Sequence, residues 1–340
     1  MSHSSIAKGP LLSNPQVLVR WSTLVCVSLL AAGPALAASD DRSNWRTEAR
    51  RFAFIDRYDA DDDGRVSSVE FEAARRARFD LTDENQDGWV SEDEYVYEWE
   101  DRLDAGMARD RAAEIRQTRV RFDALDRSDD KQLTQKEFNR SGKRMFTGWD
   151  TDKNGVITAE EPPREQRRRR QETAEDPEAR RARMIGWATR MYRPTSTHSL
   201  EGMIEKYDTD GDGTVTRLEF DTARQTEFSA SDEDGNGWLS EEEYVLAYED
   251  RLDTDMQRFR VGSVKQAGRR FDALDDNDDA EMSFAEYQQS GHRMFARWDR
   301  SEDGFVSADD PNPIPREQLA AATAQPTTAV ADTTASSGGQ

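Results

Sequence analysis

Cysteine is almost missing from this 340-residue chain: Cys26 is the only one, and it lies in an apolar run near the start. Disulfides are therefore excluded as a source of order. Histidine is nearly as scarce. Beyond the first 37 residues only His198 and His292 remain, 94 residues apart, with no G-x-S-x-G or H-E-x-x-H pattern beside them. His198 opens a helix and His292 stands where a related stretch has Lys143, so both read as surface residues and no enzymatic activity is expected. Positive charge is also short: a net charge of −22 argues against nucleic acid as a partner. No apolar run reaches the roughly 20 residues that a membrane-spanning helix needs, since the longest, Trp21 to Ala32, stops at Gly33 and Pro34.

That run has the layout of a cleaved secretory leader over residues 1–37. Lys8 and Arg20 precede it, and Ala35, Leu36 and Ala37 follow as a small-x-small cleavage site. Val25 in front of Cys26 does not suit lipid attachment. The expectation is export to a periplasm or the exterior, with no membrane association after cleavage. Losing Lys8 and Arg20 and no acid would take the charge from −22 to −24.

Acid is what the chain has in abundance, and it is ordered. Asp59, Asp61, Asp63, Ser67 and Glu70 put side-chain oxygens at positions one, three, five, nine and twelve of a twelve-residue stretch, with Gly64 at six and Arg65 at seven. Carboxylates at every second residue cannot all be buried or paired. They suit a hard divalent cation that takes six to eight oxygens at about 2.3–2.6 Å, with glycine making the sharp turn and residue seven offering only its carbonyl.

Eight such stretches begin at Asp59, Asp83, Asp126, Asp150, Asp208, Asp232, Asp275 and Asp299. Five are complete. Besides the first they are loop two (Asp83, Asn85, Asp87, Trp89, Glu94), loop four (Asp150, Asp152, Asn154, Val156, Glu161), loop five (Asp208, Asp210, Asp212, Thr214, Glu219) and loop six (Asp232, Asp234, Asn236, Trp238, Glu243). Loops one and five, with four acids each, should bind most tightly. Three depart from the pattern. Loop three (Asp126, Asp130, Glu137) has Lys131 and loop seven (Asp275, Asn277, Asp279, Glu286) has Ala280 at the glycine position; loop eight (Asp299, Ser301, Asp303) ends in Asp310, one methylene short of glutamate. A merely acidic, disordered chain would have no reason to keep Val, Leu, Ile or Met at position eight and Ser or Thr at position nine of every loop.

The motif D-x-[DN]-x-[DN]-G-x5-E in these loops resembles the EF-hand, and nearly all of the chain between leader and tail is similar to exported bacterial-type multi-EF-hand proteins, calmodulin-like in motif but with shorter gaps. The resemblance implies an all-α fold of helix–loop–helix units and Ca2+ as the bound ion. It also implies a role as calcium buffer or calcium-stabilised scaffold, with a sensor that recruits a protein partner as the alternative. Scattered rather than clustered methionines speak against the sensor.

From Thr195 the chain repeats itself: each loop of the second half follows its counterpart by 149 residues, as Asp208 follows Asp59. Two duplicated domains of four loops, 38–163 and 195–318, are thus expected, joined by an Arg-rich linker, 164–194, and followed by a disordered tail, 319–340. The row Arg167 to Arg170 reads as a solvated helix or, alternatively, as a site for an anionic surface. Twelve residues between loops one and two fit one helix, too long to let those loops pair. The longer gap after Glu94 fits two helices, one with Tyr95, Trp99 and Leu103 and one with Ala112, Ile115 and Phe122, turning near Ala105 and Gly106. Loop two would then pair with loop three, and loop one with loop four, inside each copy.

Overall fold

The computed structural model describes residues 35–162 and 176–313, with only the backbone described for 35–43. The leader, except Ala35 to Ala37, the arginine row and the tail all lie outside the described residues. No helix among the described residues is long and apolar enough to cross a membrane.

Helices and two- or three-residue strands alternate through the first copy: α1 (Ala35–Tyr58), β1 (Val66–Ser67), α2 (Ser68–Thr82), β2 (Val90–Ser91), α3 (Glu92–Leu125), β3 (Leu133–Thr134), α4 (Gln135–Trp149) and β4 (Val156–Thr158). The helix α5 (Pro177–Ala188) follows, and the second copy comprises α6 (Leu200–Tyr207), β5 (Thr214–Thr216), α7 (Arg217–Ser231), β6 (Trp238–Leu239), α8 (Glu241–Asp272), β7 (Glu281–Met282), α9 (Phe284–Trp298) and β8 (Phe305–Val306). The chain is mostly helical, as its pattern implies.

Local chemistry explains the helix starts. The hydroxyl at position nine of a loop is the N-cap of the helix that follows, and the glutamate at position twelve is its N3 residue. Ser67 with Glu70 forms such a reciprocal capping box, and so do Ser91 with Glu94, Thr134 with Glu137, Thr216 with Glu219, Ser240 with Glu243 and Ser283 with Glu286. Loops four and eight run instead into Pro162 and Pro311, and in neither does a helix begin directly after position nine.

The loops do not pair as expected. Each β-ladder joins one copy to the other: β1 with β8, β2 with β7, β3 with β6 and β4 with β5, all antiparallel. The cause is α3. It runs unbroken through Ala105 and Gly106 for 34 residues, about 50 Å at 1.5 Å per residue, which holds loops two and three far apart. Its counterpart α8 is likewise one helix of 32 residues. Gly106 does not mark a turn; Met191 fills the space where its Cβ would be. Each loop therefore keeps the kind of partner expected for it, a two-type loop with a three-type loop and a one-type with a four-type, but takes it from the other copy. The two copies are consequently not separate packing units.

Helices follow the same rule: α2 packs on α9, α3 on α8 and α4 on α7. Five apolar clusters result. Phe54, Ile55, Val66, Phe71, Trp298 and Val306 lie under the first and last loops, and the same set shifted by one copy, Met203, Val215, Phe220 and Ile157 among them, lies under loops four and five. Phe79, Val90, Phe271 and Met282 repeat as Phe228, Leu239, Phe122 and Leu133. At the waist, Leu103 and Met107 of α3 meet Leu252 and Met256 of α8. The position-eight residues of all eight loops are buried in these clusters, which is why that position stays aliphatic.

Of the predicted linker, residues 176–194 form a packed strap. Arg180 binds Glu48 of α1 through both guanidinium nitrogens, at 2.8 and 2.9 Å, and Trp187 meets Trp45 edge-on. Asp110 of α3 accepts the N–H groups of Met191 and Tyr192.

Candidate metal sites

Every loop begins at or within three residues of a helix end. The N–H of Asp59 still donates to Ile55 O, and those of Asp83, Asp126, Asp150 and their counterparts do the same four residues back. Beyond that the chain must turn sharply inward. Position six is left-handed in every loop, at φ 86 to 95° for its glycines, and at 61° for Lys131 and 64° for Ala280. Position four is left-handed as well, from Asp62 (59°) to Glu302 (57°), a feature that the spacing of acids does not announce.

The first aspartate locks this turn. Its second oxygen accepts the N–H of position six in all eight loops, from Gly64 to Asp59 (2.9 Å) to Gly304 to Asp299 (3.1 Å), Lys131 to Asp126 and Ala280 to Asp275 included (both 2.8 Å). The departing loops thus have the same backbone shape as the complete ones. The left-handed conformation still costs Lys131 and Ala280 about 1–2 kcal/mol that glycine would not incur.

In four loops the turn gathers carboxylates at positions one, three and twelve within 4.8 Å of one another: Asp59, Asp61 and Glu70; Asp150, Asp152 and Glu161; Asp208, Asp210 and Glu219; Asp232, Asp234 and Glu243. In the other four, position three is Asn85, Ser128, Asn277 or Ser301, so no third carboxylate joins Asp83 and Glu94, Asp126 and Glu137, Asp275 and Glu286, or Asp299 and Asp310. The extra acid of loops one and five, at position five, stands outside the gathered sets. Asp63 binds the N–H and Nε of Arg65 (both 3.0 Å), and Asp212 accepts the Thr214 N–H (2.7 Å), outside both gathered sets. Asp87, Asn154, Asn236, Asp130, Asp279 and Asp303 likewise accept from position seven, as in Trp89 to Asp87 and Trp238 to Asn236 (both 2.9 Å).

Position twelve spans the loop. One oxygen of Glu219 accepts the Thr209 N–H at position two, and the other accepts the N–H and hydroxyl of Thr216. The Thr216 bonds, with Thr209, hold the Glu219 carboxyl down at about 2. Glu137 is held at about 2 by the Thr134 hydroxyl and N–H and by N–H groups of Arg127 and Ser128. Asp310 reaches both ends of its loop despite its shorter stem: Oδ1 accepts from Arg300 (2.8 Å) and Ser301 (3.1 Å), and Oδ2 accepts from Ser307 (2.7 Å). In loops three and eight the serine at position three enters the cluster, Ser128 Oγ donating toward Asp126 and Glu137, and Ser301 Oγ toward Asp299 and Asp310.

The residues fit a cation. Oδ1 of Asp150 and Oδ1 of Asp232 are buried and accept no hydrogen bond, and both belong to gathered sets. A buried carboxylate oxygen without a donor is costly and is relieved by a bound ion. Loop three answers differently: Lys131 Nζ lies 3.0 Å from Asp123 and 3.7 Å from Asp129, so a resident positive charge stands beside that loop.

Helix, twelve-residue acid loop and helix define a metal-binding unit. The family model for the EF hand matches residues 200–222, which run from α6 through loop five into α7. No curated protein matches the chain.

Proposed function

We propose that the protein binds calcium ions through EF-hand loops paired between its two copies, with loops one, four, five and six as the principal sites. The gathered carboxylates carry this reading, together with the unpartnered oxygens of Asp150 and Asp232. In each principal loop, positions one, three and twelve would hold the ion, with position five and the carbonyls of Arg65, Val156, Thr214 and Trp238 completing an all-oxygen shell. Bound calcium supplies two positive charges where three carboxylates otherwise repel one another. Loops four and five share the one ladder with a gathered set on both sides, so they are the pair in which binding of the first ion favours the second. Loops eight, seven and three are partnered with complete loops one, two and six.

The role is that of an exported calcium-loaded scaffold or buffer. Extracellular EF-hand modules work at about 10⁻⁴–10⁻³ M, where an interlocked fold is fastened rather than switched. Ladders that cross between copies favour fastening over a hinge that opens. The reading gives no catalytic role to His198 or to His292, which lies 3.5 Å from Glu72.

Terbium, a luminescent stand-in for calcium, tests the assignment. Trp238 occupies position seven of loop six, so exciting tryptophan should light the ion there, and Trp238→Phe and Asp232→Ala should each remove that loop's signal while excess calcium displaces it. Terbium emission that is unchanged in both variants and insensitive to calcium would overturn the assignment.

A further inference from the structure

We propose that the interface between the two copies is self-complementary, so that each half of the chain pairs with a second copy of itself as readily as with the other half. Its contacts come in twos related by the 149-residue repeat. Arg111 of α3 binds Asp253 of α8 at 2.6 and 2.8 Å, and Arg260 of α8 binds Asp104 of α3 at 2.7 and 2.9 Å. These are one contact made twice, because Arg260 is the repeat of Arg111 and Asp253 that of Asp104. The waist core is built alike, Leu103 and Met107 facing their own repeats Leu252 and Met256.

The arginine clasps repeat in the same way. Arg224 of α7 donates to Phe138 O and Ser141 Oγ beside Gly142, while Arg75 of α2 donates to Tyr287 O and Ser290 Oγ beside Gly291. An interface in which residue i meets j and j meets i is isologous, the pattern by which identical subunits form two-fold dimers. Two first copies brought together would place Arg111 against Asp104 and Arg75 against Phe138, Ser141 and Gly142. Every contact type described above would be restored.

The strap is what breaks the symmetry. It binds Asp110 and Glu114 on the first copy, through Met191, Tyr192 and Arg190, whereas the equivalent positions of the second copy are Phe259 and Ser263. The covalent connection then favours pairing within one chain, because it makes that pairing intramolecular. Without the strap and the connection, the contacts that come in twos are equally available to a like half; the Tyr248 hydroxyl donating to Glu114 Oε2 (2.9 Å) is an exception, since its repeat would set Trp99 against Ser263.

The test uses the full chain with protease sites introduced between residues 163 and 175 and at Pro194–Thr195, so that cutting releases the strap with its contacts to Glu48, Asp110 and Glu114. The protein is folded in calcium chloride, cut, and weighed by native mass spectrometry, then unfolded in guanidinium and refolded, with uncut protein refolded in parallel. The two halves stay together on cutting, and refolding yields three pairs: first with second, first with first, and second with second. Halves that separate on cutting overturn the proposal, as does a refolded mixture holding the unlike pair alone while uncut protein regains its monomer. A second variant sharpens the outcome. Arg111→Asp with Asp253→Arg keeps both ion pairs in the unlike complex but sets like charges together in both like pairs. Like pairs should fall roughly 2- to 30-fold, the range for two exposed ion pairs. An unchanged ratio would mean that these contacts do not select the partner.

Discussion

Arg75 lies so close to Gly291 that any Cβ on that helix position would fall on the guanidinium, whose Nε is bound 3.0 Å from Gln288 Oε1 and whose Cζ sits 3.7 Å from the centre of the Tyr287 ring. Arg224 closes on Gly142 in the same manner, 3.8 Å from the Phe138 ring. A buried arginine held on several sides cannot step aside, so overpacking should outweigh the gain of up to about 1 kcal/mol that alanine normally brings to a helix. Gly291→Ala and Gly142→Ala are each expected to lower stability by about 1–3 kcal/mol in urea unfolding. Gly186→Ala in α5, with open space around it, should instead leave stability unchanged or raise it. Equal effects at all three positions would refute the clasp.

Asp110 anchors the strap. Its Oδ2 takes both the Met191 N–H (2.8 Å) and the Tyr192 N–H (2.9 Å). Asp110→Ala strands two donors in a largely buried place, at a cost of about 1–3 kcal/mol. Amide exchange at Met191 and Tyr192 should accelerate sharply, while amides in the α2–α9 lobe keep their protection. Uniform loss of protection would show that the strap has no independent role.

Acid should weaken the calcium-free protein in a defined window. The folded carboxyls of Glu137 and Glu219 lie at about 2, below the ordinary glutamate value of about 4.3. The unfolded chain therefore binds more protons between those values, and stability rises with pH across them. Their contribution is fully present above about 4.3 and disappears as pH falls through about 2. In chelator, Glu219→Gln should be less stable than the parent at pH 6, and the gap should close toward pH 2. A constant gap would exclude this origin.

Much of this was legible in the chain because the loop is a local device. Turn, cap and acid positions in Asp59 to Glu70 depend only on neighbours, so spacing alone marks all eight stretches. Pairing was not legible. Leu133 and Met282 are equally apolar candidates to face Val90, and the 149-residue repeat supplies both, so the choice rests on whether α3 bends at Gly106. That glycine reads as a turn in sequence, yet its purpose is room for Met191, a contact from the strap 85 residues further on. Position four was missed because Asp62, Gln86 and Lys153 carry no common side-chain signal for a left-handed backbone.

Calorimetric titration of calcium into metal-free protein tests the central claim most directly. Heat should reveal no fewer than four ions, and Glu161→Gln with Glu219→Gln should remove two of them, the pair seated on the β4–β5 ladder. Absence of heat, or an unchanged number of ions in that double variant, would contradict calcium binding at the gathered carboxylates.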